Sequence, residues 1–253
     1  MKRLQHRLKY EIVSVLDKIF ELVFPPRCFV CDRLLTTSDI RSGRRIHRHC
    51  RRKLQPVEQP FCYHCGCPLP DPAIEYCGDC RRKKTFVKEG RSLFVYRGSI
   101  RTSMYRFKYA NRRQYAVFLA EESYRRLGDW IRKKEIEQIL PVPMYRKKQR
   151  NRGYNQAELF AKRLSALTGI SCETHALSRI RDTRPQKELS GSDREKNVKN
   201  AFQTCDFVVK YKRILIIDDI YTTGATVEAM AEALHDAGAG EIYVLTACIG
   251  KNF

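Results

Sequence analysis

The sequence predicts an α/β fold in which a mainly parallel sheet is flanked by helices and preceded by a small zinc-ribbon domain. Continuous apolar runs at Ile214–Ile217 and Ile242–Cys248 are typical of strands covered on both faces, and helical patterns separate the strand-like runs. Eight of the 11 cysteines lie before residue 81, where apolar periodicity is weak, which indicates a metal-stabilised domain. We therefore expect an amphipathic helix over 1–26, a double zinc-ribbon domain over 27–86 and an α/β domain over 87–253.

The first 26 residues carry an apolar stripe with a helical period, which predicts a helix that ends at Pro25-Pro26. The simpler interpretation is that this helix docks on the protein's own core, and the alternative is that it holds a partner chain. Charged residues interrupt the apolar positions, so the segment resembles neither a secretory signal nor a membrane span. Cysteines spaced for metal rather than for disulfides favour the cytoplasm.

Four pairs of metal-binding residues, each with two residues between its members, predict two zinc sites. The proposed ligands are Cys28, Cys31, His47 and Cys50 in the first site and Cys62, Cys65, Cys77 and Cys80 in the second. Each pair forms a knuckle that points two ligands at one metal, and two knuckles complete a tetrahedral zinc site. His49 could replace His47, and His64 or Cys67 could compete at the second site. Because protein ligands fill every position, both sites are expected to be structural rather than catalytic.

Strand-like and helix-like segments alternate after Gly90. The predicted strands are Ser92–Gly98, Ile136–Leu140, Ile214–Ile217 and Ile242–Cys248, and the predicted helices are Arg113–Trp130, Asn155–Leu167 and Ala225–Ala237. Asn155 is a candidate N-cap, with Glu158 three residues further on and Gly169 at the end of the helix. This alternation predicts a parallel sheet with helices on both sides.

Two carboxylates follow the apolar run at Ile214–Ile217, and a threonine-rich turn follows them. Asp218 and Asp219 would lie at the carboxyl end of a central strand, where open parallel sheets bind ligands. In the turn TTGAT, Gly224 allows close approach of the backbone, and the helix that follows directs free amides and its positive dipole end outward. The turn therefore predicts a phosphate site. Because like charges repel, the aspartates must face neutral hydroxyls or a cation, and a ribose 5′-phosphate with Mg²⁺ meets both demands.

Other nucleotide-binding motifs fit the sequence less well. A strand that ends in two aspartates is also typical of a Walker B element, but the sequence has no G-x-x-x-x-G-K-[ST] loop. Gly238 and Gly240 follow a helix rather than a strand, which argues against a dinucleotide fingerprint. An ordinary strand with exposed acids does not explain the turn that comes directly after it.

The segment LIIDDIYTTGAT resembles the phosphoribosyl pyrophosphate signature of the type I phosphoribosyltransferases. Within that superfamily the chain resembles the ComF (ComFC) family, whose members are linked to DNA uptake in natural competence. The resemblance runs from about Cys28 onward and includes the zinc knuckles, FKYANRRQYA (Phe107–Ala116), PVPMYRKKQRNRGYNQA (Pro141–Ala157) and the segment Arg181–Phe202. It departs at His47, where relatives commonly have cysteine, which changes the type of ligand but not the expectation of a metal.

The resemblance implies a type I phosphoribosyltransferase-like fold and a site for phosphoribosyl pyrophosphate with Mg²⁺. Asp218 and Asp219 would be the catalytic pair and meet the ribose hydroxyls. The residues implied around the 5′-phosphate are Thr222, Thr223, Gly224, Ala225 and Thr226. The residues of the implied pyrophosphate loop are Val142, Pro143, Met144 and Tyr145. Arg184, Gln186 and Arg194 would belong to a flexible loop that closes over the site, and an ordinary solvated loop is the alternative for that segment.

The net charge of +21 is concentrated in the first 152 residues. Residues 1–90 contain 19 Lys and Arg against 10 Asp and Glu, residues 91–152 contain 17 against 5, and residues 153–253 contain 13 against 13. A polyanion is the natural partner of the basic part, because Lys and Arg that neutralise phosphates release counterions. A solvated basic surface is the alternative, but the neutral last part of the chain favours the polyanion.

Basic and aromatic residues alternate between Gly90 and Ala120, where no acidic residue occurs. Such a stretch suits single-stranded DNA, because cations follow the phosphates while aromatic rings stack on bases, each stack contributing roughly 1–3 kcal/mol. The residues predicted to contact DNA are Tyr105, Arg106, Lys108, Tyr109, Arg112 and Arg113, joined by Arg146, Lys147, Lys148, Arg150 and Arg152. Phe94 and Phe107 are expected in the core.

Two functions are consistent with these patterns. The first is a competence-associated DNA uptake factor that binds single-stranded DNA and a phosphoribosyl ligand, beside a helicase of the ComFA type. The second is an active Mg²⁺-dependent phosphoribosyltransferase that acts on a nucleobase or another nitrogen nucleophile. The distribution of charge favours the first, because an enzyme with a small substrate does not need so large a basic surface.

Overall fold

The computed structural model describes residues 25–180, 201–204 and 211–250. Most of the helix predicted over 1–26 and all of the predicted flexible-loop residues Arg184, Gln186 and Arg194 lie outside these ranges. By packing, the chain forms two compact units that meet in sequence between Lys53 and Leu54. Within the described ranges, no helix is both long and apolar enough to cross a bilayer.

The first unit contains the short helices α1 (Thr37–Arg41) and α2 (Arg48–Arg51). Helix α1 begins with a capping box, in which the Asp39 amide donates to the Thr36 hydroxyl at 3.1 Å and the Thr36 amide donates back to the Asp39 carboxylate at 3.3 Å. Hydrogen bonds from Thr36 and then from Arg44 lower the pKa of Asp39 to about 2. The capping box thus fixes the segment between the two predicted zinc knuckles of this unit.

Of the elements that the structure describes, the second unit contains the remaining helices and every strand. The strands are β1 (Val87–Val95), β2 (Gln138–Pro141), β3 (Ser171–Cys172), β4 (Leu177–Arg179), β5 (Phe202–Thr204), β6 (Arg213–Tyr221) and β7 (Glu241–Ile249). The helices are α3 (Gly78–Arg82), α4 (Gly98–Tyr109), α5 (Tyr115–Lys133), α6 (Arg146–Arg152), α7 (Gln156–Thr168) and α8 (Ala225–Asp236). The main sheet is parallel throughout and has the order β1-β7-β6-β2-β3, while β4 and β5 form an antiparallel pair. The predicted fold class is confirmed.

The direction of the connections reverses between β2 and β6. The chain passes from β2 through α7 to β3 on one side, and from β6 through α8 to β7 on the other. Because such crossovers are right-handed, the reversal places α7 and α8 on opposite faces of the sheet. The carboxyl ends of β2 and β6 therefore border a topological switch point, which is where open α/β sheets bind ligands.

The core of the sheet follows from the apolar run in β6. Ile214, Leu215, Ile216 and Ile217 are each 0% exposed. Ile214 and Ile216 belong to one buried cluster with residues of α8 such as Met230. Since successive side chains of a strand point to opposite faces, Leu215 and Ile217 fill the other side. A strand buried on both faces explains why this run contains no polar residue.

The sequence predicted strands β1, β2, β6 and β7 and helices α5, α7 and α8, and the longest helix that it missed is α4. Strand β1 begins at Val87, five residues before the predicted Ser92, and the chain then enters α4 where no helix was predicted. Buried Ile100, Met104 and Phe107 give α4 a helical apolar face, but the basic and aromatic residues between them hide this pattern. Helix α7 agrees with the prediction, and so does its N-cap residue, since the Ala157 amide donates to the Asn155 side chain at 3.1 Å.

Residues just after Leu54 are joined to β1 through the backbone. The Val57 amide donates to the Leu93 carbonyl at 2.9 Å, and the Gly90 amide donates to the Tyr63 carbonyl at 2.7 Å. Only glycine fits at position 90, because a Cβ atom there would overlap the carbonyl of the neighbouring knuckle. The predicted second zinc knuckle pair therefore lies in the same compact unit as the sheet, whereas the first lies in the other unit.

Candidate functional site

The first group of metal-binding side chains combines three thiols and one imidazole. It consists of Cys28, Cys31, His47 and Cys50, whose ligand atoms all lie within 4.8 Å of one another. The Cys31 Sγ atom is 3.4 Å from His47 Nδ1, and His47 Nε2 is 3.1 Å from the Leu34 carbonyl oxygen, which orients the ring. The ring of His49 stacks beside that of His47 at 5.3 Å and does not belong to the group. The structure thus places His47, and not His49, together with the three cysteines.

The second group consists of Cys62, Cys65, Cys77 and Cys80, again within 4.8 Å. The Sγ atoms of Cys65 and Cys77 are 3.8 Å apart, close to the roughly 3.8 Å that Zn–S bonds of about 2.3 Å impose in a tetrahedron. Cys67 is buried nearby and the ring of His64 packs against Tyr76, but neither belongs to the group. Both groups therefore fit zinc with four protein ligands, which is the donor set of a structural site.

The acidic pair lies at the carboxyl end of β6, at the switch point of the sheet. Asp218 and Asp219 are half-buried, and the Asp219 amide donates to Asp218 Oδ1 at 2.7 Å. Lys108, from the last turn of α4, places its Nζ atom 2.9 Å from Asp219 Oδ2. The sequence assigned Lys108 to a DNA-binding surface, whereas the structure brings it into contact with the acidic pair.

Electrostatics at this pair favour an added cation. Burial, and then the neighbouring charge of Asp219, raise the pKa of Asp218 to about 7. Burial by itself would lower the pKa of Lys108, but the charge and hydrogen bond of Asp219 leave that pKa raised. Lys108 thus stays protonated and compensates one of the two carboxylates. The remaining carboxylate oxygens are the ligand type that Mg²⁺ prefers, so the residues present fit this ion.

The threonine-rich turn follows β6 and opens α8. Gly224 adopts a left-handed φ of 82°, and a Cβ atom there would overlap the hydroxyl of Tyr221. As N-cap of α8, Gly224 has no side chain that could accept from the first-turn amides. The positive end of the helix dipole therefore lies at this turn, where it favours an anion. The Thr223 hydroxyl accepts from the Ala225 amide at 3.4 Å, which holds the turn against the helix.

The predicted pyrophosphate loop follows β2 on the other side of the switch point. The Val142 amide donates to the Ile217 carbonyl at 2.9 Å, and the Asn155 side chain donates to the Val142 carbonyl at 2.9 Å. Tyr145 is the N-cap residue of α6. Asn155 thus has two roles, because it caps α7 and also holds the loop. Only the first of these roles was visible in the sequence.

A cavity of about 360 Å³ joins these elements. From the predicted phosphoribosyl site it is lined by Asp218, Asp219, Thr222, Gly224, Thr226, Val142, Pro143 and Met144. From the predicted DNA-binding set it is lined by Tyr105, Lys108, Tyr109, Lys148 and Arg152. The other predicted residues, which are Thr223, Ala225, Tyr145, Arg106, Arg112, Arg113, Arg146, Lys147 and Arg150, do not line it. Residues predicted for the phosphoribosyl site and residues predicted to contact DNA therefore meet at one cavity.

The rim of the cavity is aromatic and cationic. Tyr105 and Tyr109 are 62% and 64% exposed, with their ring centroids 5.0 Å apart. The guanidinium of Arg152 lies 5.0 Å from the centroid of the Tyr109 ring and donates to Gln156 Oε1 at 2.6 Å. Arg113 lies outside the lining, with its guanidinium 4.9 Å from the centroid of the Tyr154 ring. The hydrogen bond to Gln156 thus holds the Arg152 guanidinium against one of the two exposed tyrosine rings.

Several lining residues escaped the sequence prediction. They include Tyr96, Asn155, Gln156 and Arg179. Tyr96 directly follows β1, so the rule that carboxyl ends of parallel strands share one edge could have found it. Arg179 comes from the short antiparallel strand β4, and its positive charge lowers the pKa of Asp218 against the larger effect of burial. No pattern in the sequence points to that placement.

Comparison with protein families matches both parts of the chain. A double zinc ribbon domain matches residues 19–81, and a phosphoribosyl transferase domain matches residues 152–252. The second match contains the acidic pair and the threonine-rich turn. The first match contains both groups of metal-binding side chains. The expectation of two zinc-ribbon clusters in front of a phosphoribosyltransferase domain is confirmed.

Relatives that match most of the chain have names that refer to competence or to DNA utilization. Competence protein F of Haemophilus influenzae is 32% identical over 202 residues, which cover 77% of this chain and 86% of that protein. DNA utilization protein YhgH of Salmonella typhimurium is 27% identical over 90% of this chain and 98% of its own length. Competence protein ComFC of Bacillus subtilis is 24% identical over 83% of this chain and 89% of its own length. With this similarity and the two matching domains, the chain belongs to the ComF family of competence proteins, which join a double zinc ribbon to a phosphoribosyltransferase domain.

Proposed function

We propose that this protein handles single-stranded DNA during uptake, in the cytoplasm, and holds a phosphoribosyl ligand with Mg²⁺ in the cavity at the end of β6. The observation that carries the proposal is the meeting of the acidic pair, the threonine-rich turn and the aromatic, cationic rim at one cavity. The names of the relatives, which refer to competence and DNA utilization, support a role with DNA.

The roles on the ligand side follow from the chemistry of each group. The amides of Thr222–Thr226 at the start of α8 bind the 5′-phosphate, and Asp218 and Asp219 accept hydrogen bonds from the ribose hydroxyls. Val142–Tyr145 faces the pyrophosphate. Bound Mg²⁺ would offset the negative charge of the pyrophosphate and of the carboxylates. In its absence Lys108 supplies the counter-charge to Asp219.

The roles on the DNA side follow from the rim and the basic residues around it. Tyr105 and Tyr109 stack on unpaired bases, while Arg152 and Lys148 approach phosphates. The predicted cations that do not line the cavity extend the basic surface beyond it, and they are Arg106, Arg112, Arg113, Arg146, Lys147 and Arg150. A helicase of the ComFA type is the proposed protein partner, which would deliver the strand to this surface.

The second candidate function is that of an active transferase. It is favoured because the three elements predicted to bind the phosphoribosyl ligand lie together. The acidic pair, the turn and the loop after β2 all face one cavity that can hold a small ligand. In that reaction a nitrogen nucleophile forms a bond to the anomeric carbon while the bond to pyrophosphate breaks. The residues would act by positioning and by stabilising charge, without a covalent intermediate.

Titrations with two ligands test the proposal. Phosphoribosyl pyrophosphate with Mg²⁺ should raise the melting temperature of the wild type, and a labelled oligonucleotide should bind with a steep salt dependence. Asp218→Asn should abolish the first effect and retain DNA binding, while Arg150→Gln should weaken DNA binding and retain the first effect. Release of pyrophosphate on addition of nucleobases would favour the transferase. If neither ligand binds the wild type, the proposed function is wrong.

A further inference from the structure

The second group of cysteines shares one hydrophobic core with the turn of the proposed phosphoribosyl site. Two of its members, Cys62 and Cys65, belong to a single buried cluster with Tyr221, the last residue of β6, and with Ala225, the first residue of α8. The other two members pack against the same cluster as partly buried residues. All of them lie in one compact unit with the sheet. A change in the packing of the second group can therefore reach the turn.

Tyr221 is the side chain that lies closest to both places. A Cβ atom at Gly224 would overlap the Tyr221 hydroxyl, so the phenol ring packs directly on the turn. Burial, and then the charges of Cys65 and Cys80, raise the pKa of Tyr221, which means that the same ring also lies near the second group. The position of this ring thus links the turn to the cysteines.

A second link joins the chain after Cys80 to the first turn of α8. The Thr85 hydroxyl donates to Glu228 Oε1 at 2.6 Å, and the Phe86 amide donates to Glu228 Oε2 at 3.2 Å. The Glu228 amide in turn donates to the Gly224 carbonyl at 2.8 Å. One residue of α8 therefore connects the segment that leaves the second knuckle pair with the residue at which the helix begins.

The other side of the second knuckle pair is fixed on β1. A Cβ atom at Gly66 would lie 2.8 Å from the Ser92 nitrogen, and the Ser92 hydroxyl donates to the Cys65 carbonyl at 3.4 Å. The segment from Cys62 to Phe86 thus runs from a contact with β1 to a contact with α8. Zinc would make this segment rigid, because it holds two separate knuckles in one tetrahedral site.

We propose that zinc at the second group sets the position of the threonine-rich turn and is required for tight binding of the phosphoribosyl ligand. Tyr221 and Glu228 are the positioning residues that transmit this effect. The inference rests on the proposed function and adds to it a dependence on one of the two zinc sites. The first group lies in the other compact unit and is expected to have no such effect.

Matched cysteine variants of the full-length protein test the dependence. Cys80→Ser removes one ligand from the second group, and Cys50→Ser removes one ligand from the first. By calorimetric titration, Cys80→Ser should bind phosphoribosyl pyrophosphate with Mg²⁺ about tenfold more weakly than the wild type, within the usual range of coupling between two sites. Cys50→Ser should bind it with unchanged affinity. Elemental analysis shows which variant has lost zinc.

Glu228→Ala tests the link while both zinc sites stay intact. By charge alone, loss of a carboxylate near the turn should strengthen the binding of an anionic ligand. Loss of positioning has the opposite sign, so we expect the affinity to fall by about fivefold or more. Glu228→Gln keeps an acceptor for the Thr85 hydroxyl and should restore most of the affinity. The matched control is Glu232→Ala, which removes an exposed carboxylate one turn further along α8 and should not weaken binding.

Zinc release from the wild type tests the inference even if Cys80→Ser does not fold. Because coupling between two binding sites is reciprocal, a ligand at the turn should retain zinc in the second group. With saturating ribose 5-phosphate, the concentration of a chromogenic chelator that removes one of the two ions should rise by about tenfold. The other ion should be released as before. In Glu228→Ala this protection should be lost although the zinc content is unchanged, which a merely structural role of the residue would not produce.

The outcomes separate this inference from the function on which it rests. Equal ligand affinity in the wild type and in folded Cys80→Ser would overturn the inference and leave phosphoribosyl binding in place. Zinc release that does not respond to ribose 5-phosphate, in a wild type that binds it, would also overturn it. If the wild type binds neither phosphoribosyl compound, both the inference and the phosphoribosyl part of the proposed function are wrong.

Discussion

The ammonium of Lys108 lies 2.9 Å from a carboxylate oxygen of Asp219. This ion pair joins α4, which carries the exposed tyrosines, to the carboxyl end of β6, which carries the acidic pair. Both side chains are mostly buried, with exposed fractions of 22% and 16%. In this low-dielectric setting a charge without a partner is costly, so the two elements depend on each other for charge balance.

Removal of the Lys108 ammonium should make stability depend on Mg²⁺. In Lys108→Gln, two neighbouring carboxylates lose their nearest cation, so the free energy of unfolding should fall by about 1–3 kcal/mol in Mg²⁺-free buffer. Added Mg²⁺ should then stabilise the variant more than the wild type, because Lys108 no longer competes for Asp219. Chemical denaturation with and without Mg²⁺ measures both effects. Lys108→Arg keeps the charge and serves as control, and an equal Mg²⁺ effect in all three proteins would contradict the expectation.

Asp218 should make the protein less stable as the pH rises from 6 to 8. Its folded-state pKa of about 7 lies above the ordinary value of 3.8, so across this interval the folded state binds a proton that the unfolded state has already lost. This single group should therefore lower the free energy of unfolding by about 1.4 kcal/mol from pH 6 to pH 8. Asp218→Asn should remove that contribution. Denaturation of both proteins at several pH values gives the difference, and parallel pH profiles would refute the assignment.

Gly224 should be required for the turn because of close packing as well as backbone conformation. In Gly224→Ala the new Cβ atom meets the Tyr221 hydroxyl, so the turn or the buried Tyr221 ring that packs against it must shift, and phosphoribosyl binding should weaken more than tenfold. Gly238 provides a matched control, because its φ of 93° is equally left-handed while nothing lies within 4 Å of the position that a Cβ atom would take. Gly238→Ala should cost about 1 kcal/mol of stability and retain ligand affinity. Calorimetric titration distinguishes these outcomes.

The two neighbouring histidines should differ in zinc content. His47→Ala removes a ligand of the first group and should reduce zinc from about two ions per chain to about one. His49→Ala removes only the stacked neighbour and should retain both ions. His47→Cys should retain both as well, because a thiolate replaces the imidazole. Elemental analysis of the purified variants measures the content, and loss of zinc in His49→Ala alone would reverse the assignment.

The sequence carries enough information to predict four of the five strands of the main sheet, since a strand buried on both faces is necessarily apolar, whereas β3 has only two residues and therefore no period to detect. The run Ile214–Ile217 is such a buried strand. The N-cap of α7 at Asn155 is likewise predictable, because its side chain accepts a hydrogen bond from an amide only two residues away. Helix α4 was missed because only Ile100, Met104 and Phe107 mark its buried face. Its exposed positions carry cations and tyrosines that obscure the helical period.

The composition of the cavity was predictable only in part. The acidic pair and the turn are adjacent in sequence, so local pattern identifies them. The contact between Lys108 and Asp219 spans 111 positions and depends on how α4 packs on the sheet, which periodicity does not reveal. For the same reason the sequence does not reveal that residues predicted for the phosphoribosyl site and residues predicted to contact DNA line one cavity.

The backbone bonds that join Val57 to Leu93 and Tyr63 to Gly90 have a practical consequence. Strand β1 is the outermost strand of its sheet on that side, and these bonds occupy groups that an unprotected border strand would offer to other molecules. A shortened protein that begins at residue 87 would lose this cover and is expected to aggregate. A shortened protein that begins at residue 54 keeps it, and is the better starting point for crystallisation or for isotope-labelled spectroscopy of the ligand site.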